Sequence, residues 1–439
     1  MDAKREAATE ILKGLRTAGF QAYLVGGCVR DLVMGREPKD YDISTDATPD
    51  QVVKLFPESL TVGAQFGVVI VLREEGNVEV ATFRSDGRYA DGRHPSEVRY
   101  AKTPEEDVRR RDFTINGLLY DPLSDQVLDY VGGQADIRAR RVRTIGDPVE
   151  RFNEDRLRML RAVRFAARLG FLLDPTVMTA IRRLASEIHQ VSAERVRDEI
   201  LKILTEGRAR RGFELLDEAG LLEEVLPEVK RMQGVTQPPE FHPEGDVWIH
   251  TLLMLEGMQN PTPTLALAVL LHDVGKPPTF SVRGRIRFDN HVEVGVKMAE
   301  EICSRLRLSS HETERVAELV QHHLRFKDFP RMRRSTQLRF LRMEGFEEHL
   351  ELHRLDCLAS HGDLTNYELA RRMVAETPAA EIKPAPLVRG DDLIAQGYTP
   401  GPLFKDILQA VEDAQLDGKI HTREDALRLV AQQFPLSQP

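Results

Sequence analysis

The sequence predicts an α+β chain, a small mixed-sheet part followed by a long all-helical part. Three observations predict it. Short apolar strand candidates and a Glu75-Gly76-Asn77 turn crowd the first third. From Glu154 onward the apolar residues recur with helical period and breakers are scarce. Two segments rich in Pro, His or Gly, 237–245 and 377–386, then punctuate the helical part. These changes place boundaries at 1–146, 147–240, 241–376 and 377–439.

The chain has 439 residues, of which 41% are hydrophobic and 30% charged, enough for packed cores under a soluble surface. Its net charge is −9, so any nucleic-acid surface must be a local basic one. Cys28, Cys303 and Cys357 have no CxxC spacing, which argues against a disulfide framework or a thiolate zinc site. No apolar run reaches the ~20 residues of a membrane span. The charged start MDAKREAATEILKGL lacks the apolar core of a signal peptide. The expectation is a cytoplasmic protein with no membrane contact, and no obligate protein partner is inferred.

Residues 4–18 read as an amphipathic helix with Ala8, Ile11, Leu12 and Leu15 on one face. The apolar run QAYLV is a short strand, followed at once by Gly26-Gly27-Cys28-Val29-Arg30-Asp31. Glycines there let backbone N–H groups approach an anion, a helix N-terminus favours phosphate, and Arg30 adds a charged donor. Tyr41–Ser44 reads as a second strand, and Val68–Leu72 with Val78–Phe83 as a hairpin. In a strand, Asp40 and Asp42 would point to one face. Two carboxylates on one face repel unless a cation sits between them, and Mg²⁺ typically takes one or two carboxylates plus substrate phosphates. Two such ions can hold an attacking hydroxyl and a triphosphate in line. Glu79, on a neighbouring strand, is either a third carboxylate or an exposed strand residue.

Gly26–Asp31 followed by Asp40-Tyr41-Asp42 resembles the class II tRNA nucleotidyltransferase and bacterial poly(A) polymerase family, within the polymerase-β-like nucleotidyltransferases. The resemblance continues through ATFR at 81–84, DGRYADGRHP at 86–95 and RRDFTIN at 110–116. It extends over RFNEDRLRMLRAVRFAARLGF at 151–171 and ERVRDEILKIL at 194–204. It implies a polymerase-β-like head followed by helical neck, body and tail. It also implies Mg²⁺-dependent, template-independent addition of CCA to the tRNA 3′ end from CTP and ATP. Poly(A) polymerase shares these motifs, and an A-adding enzyme is a third possibility. Gly117 stands where many relatives carry Ala.

Asp155, Arg158, Arg161 and Arg164 recur every three residues, a drifting polar stripe on a helix. Leu157, Leu160, Val163 and Ala167 form the apolar stripe beside it. A solvated basic face is one reading. Arginine's planar fork, suited to bases and phosphates, supports another. In the resembled family the Glu-Asp-x-x-Arg element, here Glu154, Asp155 and Arg158, is a protein template for the incoming base. By that carry-over Asp155 and Arg158 would hydrogen-bond its Watson–Crick edge, and Arg111, Arg161 and Arg164 would contact ribose or triphosphate. Arg84–Pro95 resembles the loop tied to the switch from C to A, with Gly87 and Gly92 as hinges. Asp112 and Asn116 either brace the site or cap the core.

A second constellation is His250, then His272-Asp273-Val274-Gly275-Lys276 after the apolar run LALAVLL, then His291, His322-His323 and Asp356. It resembles the HD superfamily of metal-dependent phosphohydrolases, which implies His250, His272, Asp273 and Asp356 as ligands. Imidazole and carboxylate suit Mn²⁺, Ni²⁺, Fe²⁺ or Zn²⁺ without fixing which, and a bound metal makes hydroxide available near neutral pH. His291 and His322 or His323 would complete a second metal site or bind phosphate. Cyclic or 2′-phosphate RNA ends are plausible substrates. The same region can instead be a structural body for tRNA. A chain of another class, an HD phosphohydrolase with a nucleotide- or RNA-binding first half, is the remaining alternative. The tail from 387, with LVRGDDLIAQGYTPGP, is expected to pack on the body or reach RNA.

Overall fold

A computed structural model describes residues 3–61, 67–86 and 98–436. The described chain forms two compact units, 1–230 with 305–308, and 231–304 with 309–439.

The first unit opens with the helix Ala3–Thr17, which buries Ala8, Ile11, Leu12 and Leu15 completely, the face its periodicity predicts. The strands that follow are β1 (Ala22–Val25), β2 (Asp42–Thr45), β3 (Ser59–Leu60), β4 (Val68–Val71), β5 (Val78–Thr82), β6 (Arg84–Asp86), β7 (Val98–Tyr100), β8 (Leu118–Asp121) and β9 (Gln126–Asp129). Seven of them form one sheet in the order β3-β4-β5-β2-β1-β8-β9. β4 and β5 pair antiparallel, as their turn predicts, whereas β2 and β5 run parallel, which makes the sheet mixed. β6 and β7 form a separate ribbon. The predicted loop 84–95 therefore begins as a strand, and Gly87 to Pro95 lie outside the described residues.

Gly117 fits its place by close approach. A Cβ there would lie 2.9 Å from Ile145 and from Val131, so alanine would force these core side chains apart.

From Pro148 the unit is helical apart from a two-residue strand, Leu172–Leu173, that pairs with Arg141–Val142. The segment read as one arginine helix is two: Pro148–Glu154 and Arg158–Leu169. Asp155 ends the first with extended backbone, φ −151°, and so does not share a helical stripe with the arginines. Leu157, Leu160, Val163 and Ala167 are buried as predicted.

In the second unit, Asp246 caps the helix Val247–Gly257 by accepting from the Ile249 amide. Thr262 does the same for Pro263–Leu271, whose seven residues from Leu265 to Leu271 are all buried. A helix apolar all round belongs in a core. The helical pattern from Trp248 to Thr377, which the sequence breaks near Pro277 and at Gly284, is interrupted there by an antiparallel hairpin, Phe280–Val282 with Ile286–Phe288, turning at Gly284 with φ 73°. The tail helices Gly390–Ala395, Pro402–Leu416 and Arg423–Gln433 close a core of their own around Leu393, Ile407, Val411 and Val430. Arg339 and Arg342, in and just after the helix Arg334–Leu341, both pair with Glu412 of the tail, at 2.8 and 2.7 Å, so the tail packs on this unit. Among the described residues no helix is long and apolar enough to cross a membrane.

Candidate functional site

Asp42 opens β2 and is the register partner of Glu79 on the parallel strand β5. Side chains in register on neighbouring strands share a face, so Glu79 stands beside Asp42, as the strand reading allowed. Asp40 is placed differently from the expectation. It precedes the strand in a bend, is largely exposed, and has Lys4 Nζ at 3.6 Å. The two aspartates therefore do not alternate along one strand. Burial, helped by Glu79 and Asp40, raises the Asp42 carboxyl to about 6, while Arg111 acts against the rise. Three carboxylates with one charge resisted describe a place that gains by binding a cation.

Gly26 turns the chain from β1 into the helix Gly27–Val33 with φ 78° and ψ −131°, backbone open in practice to glycine alone. Arg111 Nη1 lies 3.7 Å from where a Gly26 Cβ would be, so this guanidinium stands at the glycine turn. It is held by Asp107, to which it donates at 2.9 Å. Ser44 and Arg110 also donate to Asp107. Burial would raise the Asp107 carboxyl, but Arg111 and Arg110 overrule it and hold it at about 2. Arg30, expected at phosphate, is buried at 3% exposure and donates to Asn116 Oδ1 at 2.8 Å and to Asp31. It ties the Gly-Gly helix to the segment 110–116. Arg84 gives its backbone amide to Asp107 at 3.3 Å, fixing the end of the β5–β6 run against the same carboxylate.

The neck arginines are paired one by one. Arg158 donates to Glu154 at 2.5 Å and to two backbone carbonyls. Arg161 donates twice to Asp112, at 2.9 and 2.7 Å, and Asn116 reaches the other Asp112 oxygen at 3.4 Å. Burial opposes the Asp112 charge, yet Arg161 holds its carboxyl below the ordinary range. Arg164 donates to Glu199 at 2.6 Å, both side chains nearly buried. Asp155 is gripped by Arg195 at 2.7 and 3.2 Å. Arg195 was not singled out from sequence. It lies inside the quoted ERVRDEILKIL run, but nothing in spacing joins it to a residue forty positions away.

In the second unit the expected set assembles. His272 Nε2 is 3.1 Å from Asp273, and His250 Nε2 is 3.2 Å from Asp356. Asp273 also pairs with Lys276 at 2.7 Å and faces His291 and His323, each at 3.9 Å. Of the doublet it is His323 that belongs, while the His322 ring turns toward His349, 6.0 Å away. Two residues missed by sequence come from the presumed linker. His242 and Glu244 reach His250, with Glu244 Oε1 2.7 Å from His250 Nδ1, though out of line for a hydrogen bond. The only signal was a His and a Glu just ahead of the capping Asp246.

His272, His291 and His323 each turn Nδ1 to a backbone carbonyl, of Val269, Phe288 and Val320, at 2.9, 2.9 and 2.7 Å. That bond places the proton on Nδ1 and leaves a lone pair on Nε2, the arrangement common for metal-ligating histidines. All three Nε2 atoms are buried without a hydrogen-bond partner. Burial lowers His291 and His323, the latter to about 4 with help from His272, so both rings stay neutral near pH 7. Buried imidazole nitrogens without partners are costly unless something fills them. Two groups, His250-His272-Asp273 and Asp273-His291-His323, bring their ligand atoms within 4.8 Å of one another, as does the outer His242-Glu244-His250. The donor set therefore fits a divalent ion.

Three family models match separate stretches of the chain. A poly A polymerase head domain matches residues 22–143, a probable RNA and SrmB-binding site of polymerase A matches 170–233, and an HD domain matches 247–356. The chain is 44% identical to the CCA-adding enzyme of Bacillus subtilis over 234 residues, 53% of this chain and 59% of that protein. It is 42% identical to that of Bacillus pumilus over 253 residues, 56% of this chain and 63% of the relative. The chain thus matches less than two thirds of the length of these curated relatives. Among solved structures it is similar to the Bacillus stearothermophilus CCA-adding enzyme in complex with CTP, with a TM-score of 0.74 and 28% identity over 98% of both chains. It also shares the fold of the Thermotoga maritima CCA-adding enzyme complexed with tRNA, with a TM-score of 0.59 and 20% identity over 98% of this chain and 96% of that one. The chain is thus similar in turn to a poly A polymerase head, to an RNA-binding segment of polymerase A and to an HD domain.

Proposed function

We propose that the chain adds CCA to the 3′ end of tRNA from CTP and ATP, in the cytoplasm, with 1–146 as catalytic head, 147–240 as nucleotide- and RNA-binding neck, 241–376 as HD domain and 377–439 as tail. The observation that carries this reading is the pairing of Asp42 with Glu79 beside the Gly26 turn and Arg111. The likeness to a CTP-bound CCA-adding enzyme over 98% of both chains supports it. Asp42 and Asp40 would hold Mg²⁺, with Glu79 adjacent. That cation supplies charge neutralisation for triphosphate and an acidified 3′-hydroxyl. Arg111 meets phosphate oxygens at the Gly26-Gly27 turn. The helix there has only seven residues, so the guanidinium rather than a helix dipole does most of this. Arg30 and Asn116 hold the turn in register.

Base choice falls to Asp155 and Arg158. A carboxylate accepts from a base amino group and a guanidinium donates to ring nitrogen or carbonyl, so a base of the wrong pattern leaves buried groups unpaired. Each must first release its partner, Arg195 or Glu154, to take up the base. Arg161 and Arg164, held by Asp112 and Glu199, line the same helix toward ribose or phosphate.

The histidine cluster supports a second activity, phosphoester hydrolysis on Mn²⁺, Ni²⁺, Fe²⁺ or Zn²⁺ held by His250, His272, Asp273 and Asp356. The unpartnered Nε2 atoms favour it over a purely structural body.

The test is a tRNA transcript lacking CCA, incubated with Mg²⁺ and CTP, ATP or both, resolved at single-nucleotide length. Addition of C, C and A and then arrest is expected. Long A tails on any RNA would assign the head to poly(A) synthesis, and a single A on CC-ended tRNA only would make it an A-adding enzyme. No extension would leave the HD cluster as the chain's activity.

A further inference from the structure

Many arginines of this chain pair with carboxylates, from Arg16 with Asp121 to Arg339 with Glu412, while others are exposed without one. The hairpin Phe280–Phe288 gathers three of the latter on one short ribbon. Arg283, Arg285 and Arg287 are all exposed, and none has a side-chain hydrogen bond or ion pair among the described residues. The pairing of Phe280 with Phe288 and Val282 with Ile286 puts the apolar side chains on one face of the ribbon. Arg287 lies on the other face, and Arg283 and Arg285 flank the turn at Gly284. The apolar face is also open, with Phe280 43% and Val282 65% exposed.

The base of this ribbon is fastened to the histidine cluster. The Phe288 carbonyl accepts from His291 Nδ1 at 2.9 Å. Lys276, 2.7 Å from Asp273, stands 5.4 Å from the centre of the Phe288 ring. At ~3.3 Å per residue the ribbon carries its guanidinium groups out to roughly 10–15 Å from the cluster. Unpaired cationic forks and an exposed aromatic on the two faces of one narrow ribbon are the chemistry that holds a single nucleic-acid strand wrapped over it, phosphate by charge and base by stacking.

We infer that the arginine hairpin is a strand-holding finger that brings the phosphate-bearing end of a single-stranded RNA to the HD metal cluster. This rests on the reading of that cluster as a phosphoester site and names its substrate as a polynucleotide end rather than a free nucleotide. The three arginines grip the backbone upstream of the end, Phe280 stacks a base, and the terminal phosphate reaches the His272, His291 and His323 side.

The test uses the full chain and its triple variant Arg283→Ala, Arg285→Ala, Arg287→Ala. These side chains are exposed and unpartnered, so the variant is expected to fold. The probe is a labelled single-stranded RNA carrying a photoreactive uridine near its 3′ end. Crosslinks should map to 280–288 in the parent chain and vanish in the variant. The logarithmic salt dependence of binding should become shallower by about 2, at ~0.7 per phosphate contact on a single strand. Hydrolysis of bis(p-nitrophenyl) phosphate by the Mn²⁺-loaded protein should be equal in both, because that ester has no strand to hold. Unchanged salt dependence would overturn the inference. A fall in salt dependence with no hydrolysis of the small ester by either protein would instead remove the HD reading and with it the delivery role. Loss of retention on anionic vesicles with RNA binding intact would overturn it in favour of a membrane surface.

Discussion

The two candidate sites of this chain handle charge in opposite ways. In the head and neck nearly every functional group already has a partner: Asp155 has Arg195, Arg158 has Glu154, Arg161 has Asp112 and Arg164 has Glu199. In the histidine cluster the Nε2 atoms of His272, His291 and His323 are buried without a hydrogen-bond partner. A site of paired groups reads a transient ligand by exchanging partners, and unoccupied it stays satisfied. A site of orphaned imidazoles is incomplete until an ion arrives and should hold that ion persistently. The first arrangement suits a nucleotide that comes and goes, the second a resident metal.

The largest effect should come from Asp42→Ala, which breaks only one side of the comparison. Nucleotide addition should fall by roughly three orders of magnitude or more, the scale of removing a central catalytic group. Metal bound at the histidine cluster, read by elemental analysis, should be unchanged, and loss of both would mean the sites are not independent.

Glu199→Ala probes the cost of the paired style. It leaves Arg164, whose relative exposure is 6%, with only Glu206 at 3.2 Å, and breaking a buried pair costs up to about 3–5 kcal/mol. Denaturant unfolding should show this on the first unit. A loss below about 1 kcal/mol, the level of an exposed pair, would say the pair is wet.

Glu244→Gln sharpens the other side. If Glu244 orients His250 through Nδ1, metal affinity at the cluster should drop about 10- to 100-fold, the usual effect of losing such a support. Metal titration with unaltered affinity would make Glu244 a bystander.

The smallest effect concerns protons. The Asp42 carboxyl is raised to about 6 in the folded chain, above its ordinary 3.8. The folded state therefore holds the proton more tightly than the unfolded one. This group's contribution to stability is fully present below about 4 and is lost as pH rises through about 6. Mg²⁺ must displace that proton, so its apparent affinity should weaken up to about tenfold per pH unit below 6 and level off above. A flat profile between pH 5 and 7 would place the Mg²⁺ on other groups.

What the sequence made legible follows from range. The first helix and the β4–β5 hairpin are set by local pattern, and each appears within a residue or two of its expected place. The set His250, His272-Asp273, Asp356 comes instead from the resemblance to the HD superfamily, not from local pattern. Asp155 was misplaced because a three-residue spacing looks helical even across a break, and the break lies in its own extended backbone. Asp40 was put on a strand that starts two residues later. His242 and Glu244 sat in a Pro- and Gly-rich stretch that reads as linker, and only folding brings them to His250. In the hairpin region the sequence marks breaks near Pro277 and at Gly284, but nothing local signals that the chain between them pairs as strands.

The central claim is that the neck selects the nucleotide by an exchange of partners at Asp155 and Arg158. The direct measurement is kcat/KM for CTP, ATP, UTP and GTP on a tRNA lacking CCA, in the parent chain and in Asp155→Ala. The account predicts strong rejection of UTP and GTP by the parent, and a collapse of that discrimination by about 100-fold or more in the variant, with Mg²⁺ dependence retained. Discrimination that survives the substitution would contradict it and leave Asp155 as a structural partner of Arg195.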